Sequence, residues 1–270
     1  MCLSSKIAEL RNELLRSCKY ATHCLEAAER RVSYSASVTS SDQTRTITDS
    51  STPPVTSLST PLGTVLSIQP PQMSGAKTDD ATSYEITDKE ILNRFMILTH
   101  GVLIQEWERF LYDVFVEGVI YYLRGYDLDP DCKLHLRNLK PGIEVTEMRK
   151  NLSTEVEKSH RGYKELFYQS RKLFKVQEDN LLKEMQKHVQ IRHIFQHSQG
   201  EIRKEDLKDI GLNGPNVCFS ILGDDGRPLP YKVGQTIFLS KKEIQNLYDT
   251  IEKFSQAFQT QAEKAKPIAE

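Results

Sequence analysis

The stretch that decides the fold is EILNRFMILTHGVLIQEWERFLYDVFVEGVIYYLRGY, residues 90–126. Its apolar side chains fall on more than one face of a helix, which is typical of a helix buried in the middle of a bundle. It predicts one long helix, or two helices broken near Gly101, with Trp107 in the core. Thr87 and Glu90 have the spacing of a capping box at its start, and the turn residues DLDPDCK follow it at 127–133.

Further helical patterns follow this stretch. Residues 133–152 fit no single pattern, whereas 154–174 and 177–198 predict two more helices, the second with Leu181, Met185 and Val189 on one face. Ser240 and Glu243 form a second capping box. The helix that it opens carries one apolar stripe, made of Ile244, Leu247, Ile251, Phe254 and Phe258.

A short β element interrupts the helices. The sequence reads VCFSIL, then GDDGRPLP, then YKVGQTIFL at residues 217–239, which predicts a hairpin with a long Gly/Pro loop. The predicted fold class is therefore all-α, a four- to five-helix bundle with a small β-hairpin insertion.

The N-terminal segment predicts an amphipathic helix over residues 3–32. Its apolar positions recur every three or four residues. Such a stripe needs a partner, which is either the downstream domain or a second copy in a coiled coil. Alanine and cysteine within the stripe favour docking on the downstream domain. The stripe consists of Leu3, Ile7, Leu10, Leu14, Cys18, Ala21, Leu25, Ala28 and Val32.

Composition changes abruptly after this helix. Residues 33–83 contain 22 Ser or Thr, five Pro and only six charged side chains. Such a segment buries too little apolar surface to offset the entropy of ordering it, so we predict a disordered linker. PLGTVLSIQPP at 61–71 is its most apolar part. The predicted organisation is an N-terminal helix over 1–33, a linker over 34–84 and a helical domain over 85–265.

The formal charge of −1 and the pI near 6.7 restrict any nucleic-acid site to a local patch. No apolar run is long enough for a membrane span, and the charged N-terminus does not resemble a secretory signal. The five scattered cysteines indicate reduced thiols, so we expect a cytoplasmic protein.

The sequence contains no Gly-rich phosphate loop and no nucleophile elbow, and GDDG at 223–226 has too few carboxylates for calcium. We therefore expect no cofactor.

Functional side chains concentrate in HVQIRHIFQHSQGEI, residues 188–202. His193 and His197 are four residues apart on a helix, a spacing that can bind zinc. Ile194, however, stands where the HExxH motif has its glutamate, and no third ligand lies nearby. The pattern therefore disfavours a metal site, and we expect no metal.

Arg192 and His197 fit chemistry at a phosphodiester better. An imidazole can move protons to and from a ribose hydroxyl and the leaving oxygen. A guanidinium binds the phosphate through two hydrogen bonds and stabilises its developing charge. Gln196 and Ser198 add neutral polar groups, and Gly200 ends the helix just after His197. The competing interpretation is an ordinary solvated helix end.

RHIFQHSQGEI resembles the Arg-x4-His signature of the HEPN superfamily. Arg192 and His197 fall on the signature positions, and Gly200 and Ile202 fall on the trailing glycine and aliphatic positions. VLIQEWERFLYDVF at 102–115 is similar to the first bundle helix of these domains, with its acidic–aromatic pair. The resemblance covers roughly residues 87–262.

This resemblance implies a helical bundle that dimerises and brings two Arg/His pairs into one cleft. Many such proteins are metal-independent RNases of toxin–antitoxin, defence or RNA-processing systems, and others bind nucleotides or partners without catalysis. The chain departs from the pattern at His193, where Asn is common. It also has Gln199 where toxins silenced by nucleotidylation carry Tyr, so that regulation is not expected.

The sequence therefore predicts a HEPN-type endoribonuclease that acts on RNA as a homodimer in toxin–antitoxin or defence biology. Arg192 binds phosphate and His197 is the general acid/base. Supporting roles fall to His193, Gln196, Ser198 and Glu106, and Glu108 is a further candidate partner of Arg192. Lys187 and Arg203 are expected to add positive charge to the cleft, and His188 is expected on the surface.

The alternative is a non-catalytic interaction module that binds RNA, nucleotide or a partner protein. In either case, residues 3–32 offer a surface for an antitoxin or another partner protein.

Overall fold

The computed structural model describes residues 2–38, 45–47, 84–86, 88–128, 145–159, 163–209 and 218–267. Helices account for 76% of these residues, and there are seven of them in the described part of the chain. This confirms a mostly helical protein with a small antiparallel hairpin. The elements in chain order are α1 (Leu3–Val38), β1 (Arg45–Ile47), β2 (Tyr84–Ile86), α2 (Asp88–Leu123), α3 (Val145–Ser159), α4 (Tyr163–Leu173), α5 (Asp179–Ser198), α6 (Lys204–Asp209), β3 (Phe219–Leu222), β4 (Pro228–Tyr231) and α7 (Lys241–Lys264).

The chain divides into two compact units, Met1–Arg30 with Asn93–Glu270, and Arg31–Leu92. In the second unit, β1 pairs antiparallel with β2, so that Arg45 lies opposite Ile86. The sequence did not predict this pairing, in which β1 lies in the segment interpreted as a linker and β2 lies at its end. Residues 39–44 and 48–83 of that segment, which include PLGTVLSIQPP, lie outside the described residues, as does the predicted capping residue Thr87.

The predicted central helix is the single helix α2, which passes through Gly101 without a break. Trp107 is fully buried, as predicted. The centroid of its ring lies 6.0 Å from that of Phe167 on α4 and 5.7 Å from that of Phe254 on α7. Aromatic rings of three helices thus meet at Trp107 and form the centre of the core.

The helix predicted over 154–174 is two helices in the structure, because α3 ends at Ser159 and α4 begins at Tyr163. α4 runs close to α2. A Cβ added at Gly118 of α2 would lie 2.6 Å from Cε2 of Phe174, so the absence of a side chain permits this approach.

The apolar stripe of α1 is buried within the chain, at positions Leu3, Ile7, Leu10, Leu14, Cys18, Ala21, Leu25 and Ala28. The helix continues to Val38, beyond its predicted end. Lys241 at the start of α7 donates a 2.6 Å hydrogen bond to Glu29, and the charge of Glu106 on α2 acts on Cys18. α1 therefore lies beside α2 and α7, which is the arrangement expected of a docking helix.

The second capping box is half formed. The Ser240 hydroxyl accepts a 3.0 Å hydrogen bond from the Glu243 backbone N–H. The Glu243 side chain does not return to Ser240; it accepts a 2.6 Å hydrogen bond from the Leu222 backbone N–H. The predicted stripe of α7 is buried throughout, at Ile244, Leu247, Ile251, Phe254 and Phe258.

The hairpin prediction was right in kind and wrong in its second strand. β3 pairs with β4 across the tight turn at 223–227, with Phe219 opposite Tyr231. The rest of YKVGQTIFL pairs with the residues that follow α5. The Ile202 backbone N–H donates a 3.0 Å hydrogen bond to the Gln235 carbonyl, and the Ile237 backbone N–H donates a 2.9 Å hydrogen bond to the Gly200 carbonyl. These hydrogen bonds surround an isolated antiparallel bridge between Glu201 and Thr236, directly after the end of α5.

Candidate functional site

α5 positions the predicted site residues. Its inner face packs against α7 and buries Met185, Ile191 and Ile194. The helix ends where Gln199 and Gly200 both adopt positive φ angles, of 53° and 90°. A Cβ at Gly200 would lie 2.9 Å from the Phe195 ring, so glycine is needed there. This confirms that Gly200 ends the helix and leaves the predicted acid/base residue in its last turn.

His193 and His197 lie together on the exposed face of this last part of α5. The centroids of their rings are 4.4 Å apart, and both side chains are exposed. Two imidazoles this close can contact neighbouring atoms of one ligand. The helical spacing of four residues, noted in the sequence as a possible metal motif, therefore yields a surface imidazole pair.

Arg192 points to a different neighbour. Its Nη1 lies 2.7 Å from Oε2 of Glu108 on α2, and the two side chains are 24% and 32% exposed. Because this ion pair is partly open to solvent, an anionic ligand can reach the guanidinium. The structure thus brings the two histidines together and pairs the arginine with a carboxylate on α2.

Asp206 lies beside the candidate site, and the sequence did not predict its position there. Its carboxylate is buried, and it accepts hydrogen bonds from Gln190 Nε2 at 3.2 Å and from the Arg203 backbone N–H at 2.8 Å. Its Oδ1 also lies 4.0 Å from His193 Nε2. The sequence shows only an acidic residue in the first turn of a short helix, and no local pattern indicates that it faces α5.

The other predicted supporting residues are dispersed. Gln196 is exposed and Ser198 is buried. Glu106 is half-buried, and its charge acts on the Cys18 thiol of α1. Residues two apart on a helix point in nearly opposite directions, so Glu108 faces Arg192 and Glu106 faces α1. Of the two carboxylates that flank Trp107, only Glu108 is joined to the arginine.

A buried polar network lies one turn before Arg192. The prediction of a surface position for His188 was wrong, because this side chain is fully buried. Its Nδ1 lies 3.4 Å from His100 Nε2 on α2 and 3.4 Å from Glu243 Oε1 on α7. Lys187 Nζ lies 3.0 Å from the same Glu243 oxygen and 2.9 Å from Glu184. The network connects α2, α5 and α7 beneath the site.

The network determines the charge of its histidines. Burial, and then the positive charges of Arg192 and Lys187, lower the pKa of His100 from 6.5 to about 3. Burial, then His100 and Lys187, lower the pKa of His188 well below its ordinary value. Both imidazoles are therefore neutral at neutral pH. Lys187 is mostly buried and paired with two carboxylates, so it does not supply the free surface charge predicted for it.

Comparisons of this chain with protein-family models, with curated proteins and with solved structures find no match. Within the described residues, no group of three or more His, Cys, Asp and Glu side chains is arranged to hold a metal ion. No helix in the described segments is long and apolar enough to cross a membrane.

Proposed function

We propose that this protein is a HEPN-type, metal-independent endoribonuclease whose active site lies at the C-terminal end of α5. The observation that carries the proposal is the exposed pair His193–His197, with ring centroids 4.4 Å apart, one residue from the ion-paired Arg192. These are the groups that transesterification at a ribose phosphodiester requires. The four- to five-helix bundle of such domains is the corresponding proposal for the fold.

In this mechanism, the RNA phosphate displaces Glu108 from the Arg192 guanidinium. Arg192 then binds the non-bridging phosphate oxygens and stabilises the charge that develops on them. His197 accepts the proton of the ribose 2′-hydroxyl, and the 2′-oxygen attacks phosphorus. The bond from phosphorus to the 5′-oxygen breaks, and that oxygen receives a proton. The products are a 2′,3′-cyclic phosphate and a 5′-hydroxyl.

The proposal includes a two-fold homodimer. Arg192 and His197 are about 140° apart around an ideal helix, and Arg192 turns to α2 in the structure. A second chain that presents its own pair across a two-fold axis would complete a cleft with two arginines and two imidazole pairs. Light scattering at micromolar concentration should give the mass of a dimer, and a monomer would contradict this part of the proposal.

The proposed biological setting is a toxin–antitoxin or defence system, as for many proteins with this signature. A partner protein such as an antitoxin would contact the exposed face of α1, because the apolar stripe of that helix is already buried. Residues on this exposed face include Glu9, Asn12, Glu13 and Arg16.

The experiment that tests the proposed function is incubation of purified full-length protein with a mixed RNA pool, with and without EDTA. Cleavage should persist in EDTA. Positioned acid/base catalysis contributes on the order of 10²–10⁴-fold, so His197→Ala should lose at least about a hundredfold in rate. Arg192→Lys should be little more active than Arg192→Ala, because an ammonium lacks the planar fork of hydrogen-bond donors in a guanidinium.

The matched control is Lys183→Ala, which replaces an exposed residue near the start of the same helix. It should retain wild-type cleavage. If wild-type protein cuts no RNA and binds it equally well after His197→Ala, the enzyme proposal fails and a non-catalytic binding module takes its place.

A further inference from the structure

We propose that His193 is a second catalytic residue, the general acid that protonates the leaving 5′-oxygen, and that Asp206 is its positioning residue. This inference rests on the proposed function and adds a role that one histidine cannot fill. Cleavage removes a proton from the 2′-oxygen and delivers one to the 5′-oxygen in the same displacement. Two proton-transferring groups at the two ends of the reacting phosphodiester serve that step.

The geometry provides the two groups in one chain. The rings of His193 and His197 have centroids 4.4 Å apart, are tilted by 46° and are both exposed. In an in-line displacement, the attacking and leaving oxygens lie on opposite sides of phosphorus. A phosphodiester that contacts both rings therefore has its attacking oxygen at one imidazole and its leaving oxygen at the other.

Asp206 determines which imidazole is the acid. Its buried carboxylate lies 4.0 Å from His193 Nε2, and we assign it the role of holding that imidazole in the orientation in which it acts on the leaving oxygen. The carboxylate cannot turn away easily, since Gln190 and the Arg203 backbone N–H donate to its two oxygens. Within the described segments, a carboxylate lies 4.0 Å from a ring nitrogen of His193, whereas His197 contacts the ring of His193 and no carboxylate within that distance. The asymmetry assigns His193 as acid and His197 as base.

Neutral His197 takes the 2′-hydroxyl proton while the bond between the 2′-oxygen and phosphorus forms. The bond between phosphorus and the 5′-oxygen breaks, and protonated His193 gives its proton to the departing oxygen. The enzyme is left with a neutral His193 and a protonated His197. Exchange with water restores both groups without an oxidant, a reductant or a metal.

The test compares two leaving groups at one phosphodiester. One RNA dinucleotide has the natural 5′-oxygen, and the other has sulfur in that bridging position. A thiol is far more acidic than an alcohol, so a thiolate departs without a proton and needs no general acid. His193→Ala should lose about a hundredfold or more with the oxygen substrate and less than about tenfold with the sulfur substrate. His197→Ala should lose about a hundredfold or more with both.

Asp206→Asn tests the positioning residue, because the amide keeps the shape of the side chain and removes its charge. It should slow cleavage of the oxygen substrate and leave cleavage of the sulfur substrate near the wild-type rate. A purely structural role would slow both equally. Circular dichroism confirms the fold of each variant, and His193→Gln provides a second variant that retains bulk and polarity.

The outcomes separate the two proposals. If wild-type protein cleaves neither substrate, the proposed function fails and this inference fails with it. If wild-type protein cleaves both and His193→Ala loses equally on both, the general-acid role is overturned while the ribonuclease proposal stands. Selective recovery with sulfur in both His193 variants supports the assignment.

Discussion

Arg192 is paired with Glu108 in the structure, and in the proposed function an RNA phosphate has to displace this carboxylate. Partly exposed ion pairs contribute about 0.2–1 kcal/mol, which corresponds to roughly 1.4- to 5-fold in affinity. Glu108→Gln removes the competing carboxylate and its repulsion of the phosphate. We predict that this variant binds a non-cleavable 2′-O-methyl RNA roughly 1.4- to 5-fold more tightly, measured by fluorescence anisotropy.

The control for this prediction is Glu147→Gln, which removes one negative charge from an exposed position on α3. It should leave the affinity unchanged. Weaker binding after Glu108→Gln would mean that Glu108 serves mainly to orient Arg192 rather than to compete with RNA.

The buried His100 predicts a pH-dependent stability. Its pKa is about 3 in the folded chain and about 6.5 in the unfolded chain. The unfolded state therefore binds the proton first as the pH falls below 6.5, and stability decreases until the pH reaches the folded pKa. Between pH 7 and pH 5 this residue alone should reduce the free energy of unfolding by about 2 kcal/mol.

Urea unfolding at the two pH values measures this effect. The difference in the free energy of unfolding between pH 7 and pH 5 should be about 2 kcal/mol smaller in His100→Gln than in the wild type. This holds even if the substitution also changes the stability at pH 7. His23→Gln should leave the difference unchanged, since His23 is exposed on α1. An unchanged difference in His100→Gln would show that His100 is not buried in the neutral form.

The sequence places the candidate residues near one end of a helix, but it does not predict the contacts that they make with other helices. Arg192, His193 and His197 stand out because they are close in sequence and near a glycine that ends the helix. The choice of Glu108 over Glu106, the burial of His188 and the approach of Asp206 to His193 all depend on other helices. Such contacts are set by tertiary packing, which one helix's pattern does not encode.

At the scale of helices, α1 offers a direct test of its docking. Burial, and then the charge of Glu106, raise the pKa of the Cys18 thiol to about 12. Cys24 on the same helix is exposed. Since the thiolate is the reactive form, iodoacetamide at pH 8 should alkylate Cys18 at least about a hundredfold more slowly than Cys24.

Peptide mass mapping reads the two positions separately, and both should react similarly in urea. Equal rates in the native protein would mean that α1 is detached from the rest of the chain.

Two glycines of α2 give opposite predictions. Replacing a glycine by alanine within a helix usually stabilises the folded protein by up to about 1 kcal/mol. Gly101→Ala should have this effect, because no atom outside the local helix backbone lies within 4 Å of the added Cβ. Gly118→Ala places its Cβ 2.6 Å from Phe174 and 2.7 Å from Leu173, both buried. It should destabilise by about 1–3 kcal/mol in urea unfolding. A stabilised Gly118→Ala would show that α4 is not held against α2.

Helices were predicted best where the spacing of residues within one segment is sufficient to define the helix and its buried face. The stripe of α7 and its Ser240 cap follow from local spacing, and both are present. The segment YKVGQTIFL was assigned to the wrong partner because strand pairing joins residues distant in sequence. Alternation of side chains shows that the segment is extended but does not show that residues 200–202 are its neighbours.

At the scale of the whole molecule, α5 joins the core to the candidate site. Its inner side joins α2 and α7 through His188 and Glu243, and its outer end presents His193 and His197. The buried network holds the helix in place, while the exposed end remains open to a ligand. Because of this division, we expect substitutions at the exposed end of α5 to leave the chain folded.

The measurement that tests the central claim most directly uses an RNA oligonucleotide with one ribose replaced by 2′-deoxyribose at a mapped cleavage site. The account predicts that wild-type protein stops cutting at that position alone and that the natural site yields a 2′,3′-cyclic phosphate and a 5′-hydroxyl, seen by mass spectrometry of the fragments. Continued cleavage at the 2′-deoxy position, or a 5′-phosphate product, would contradict transesterification by His197 and with it the proposed function.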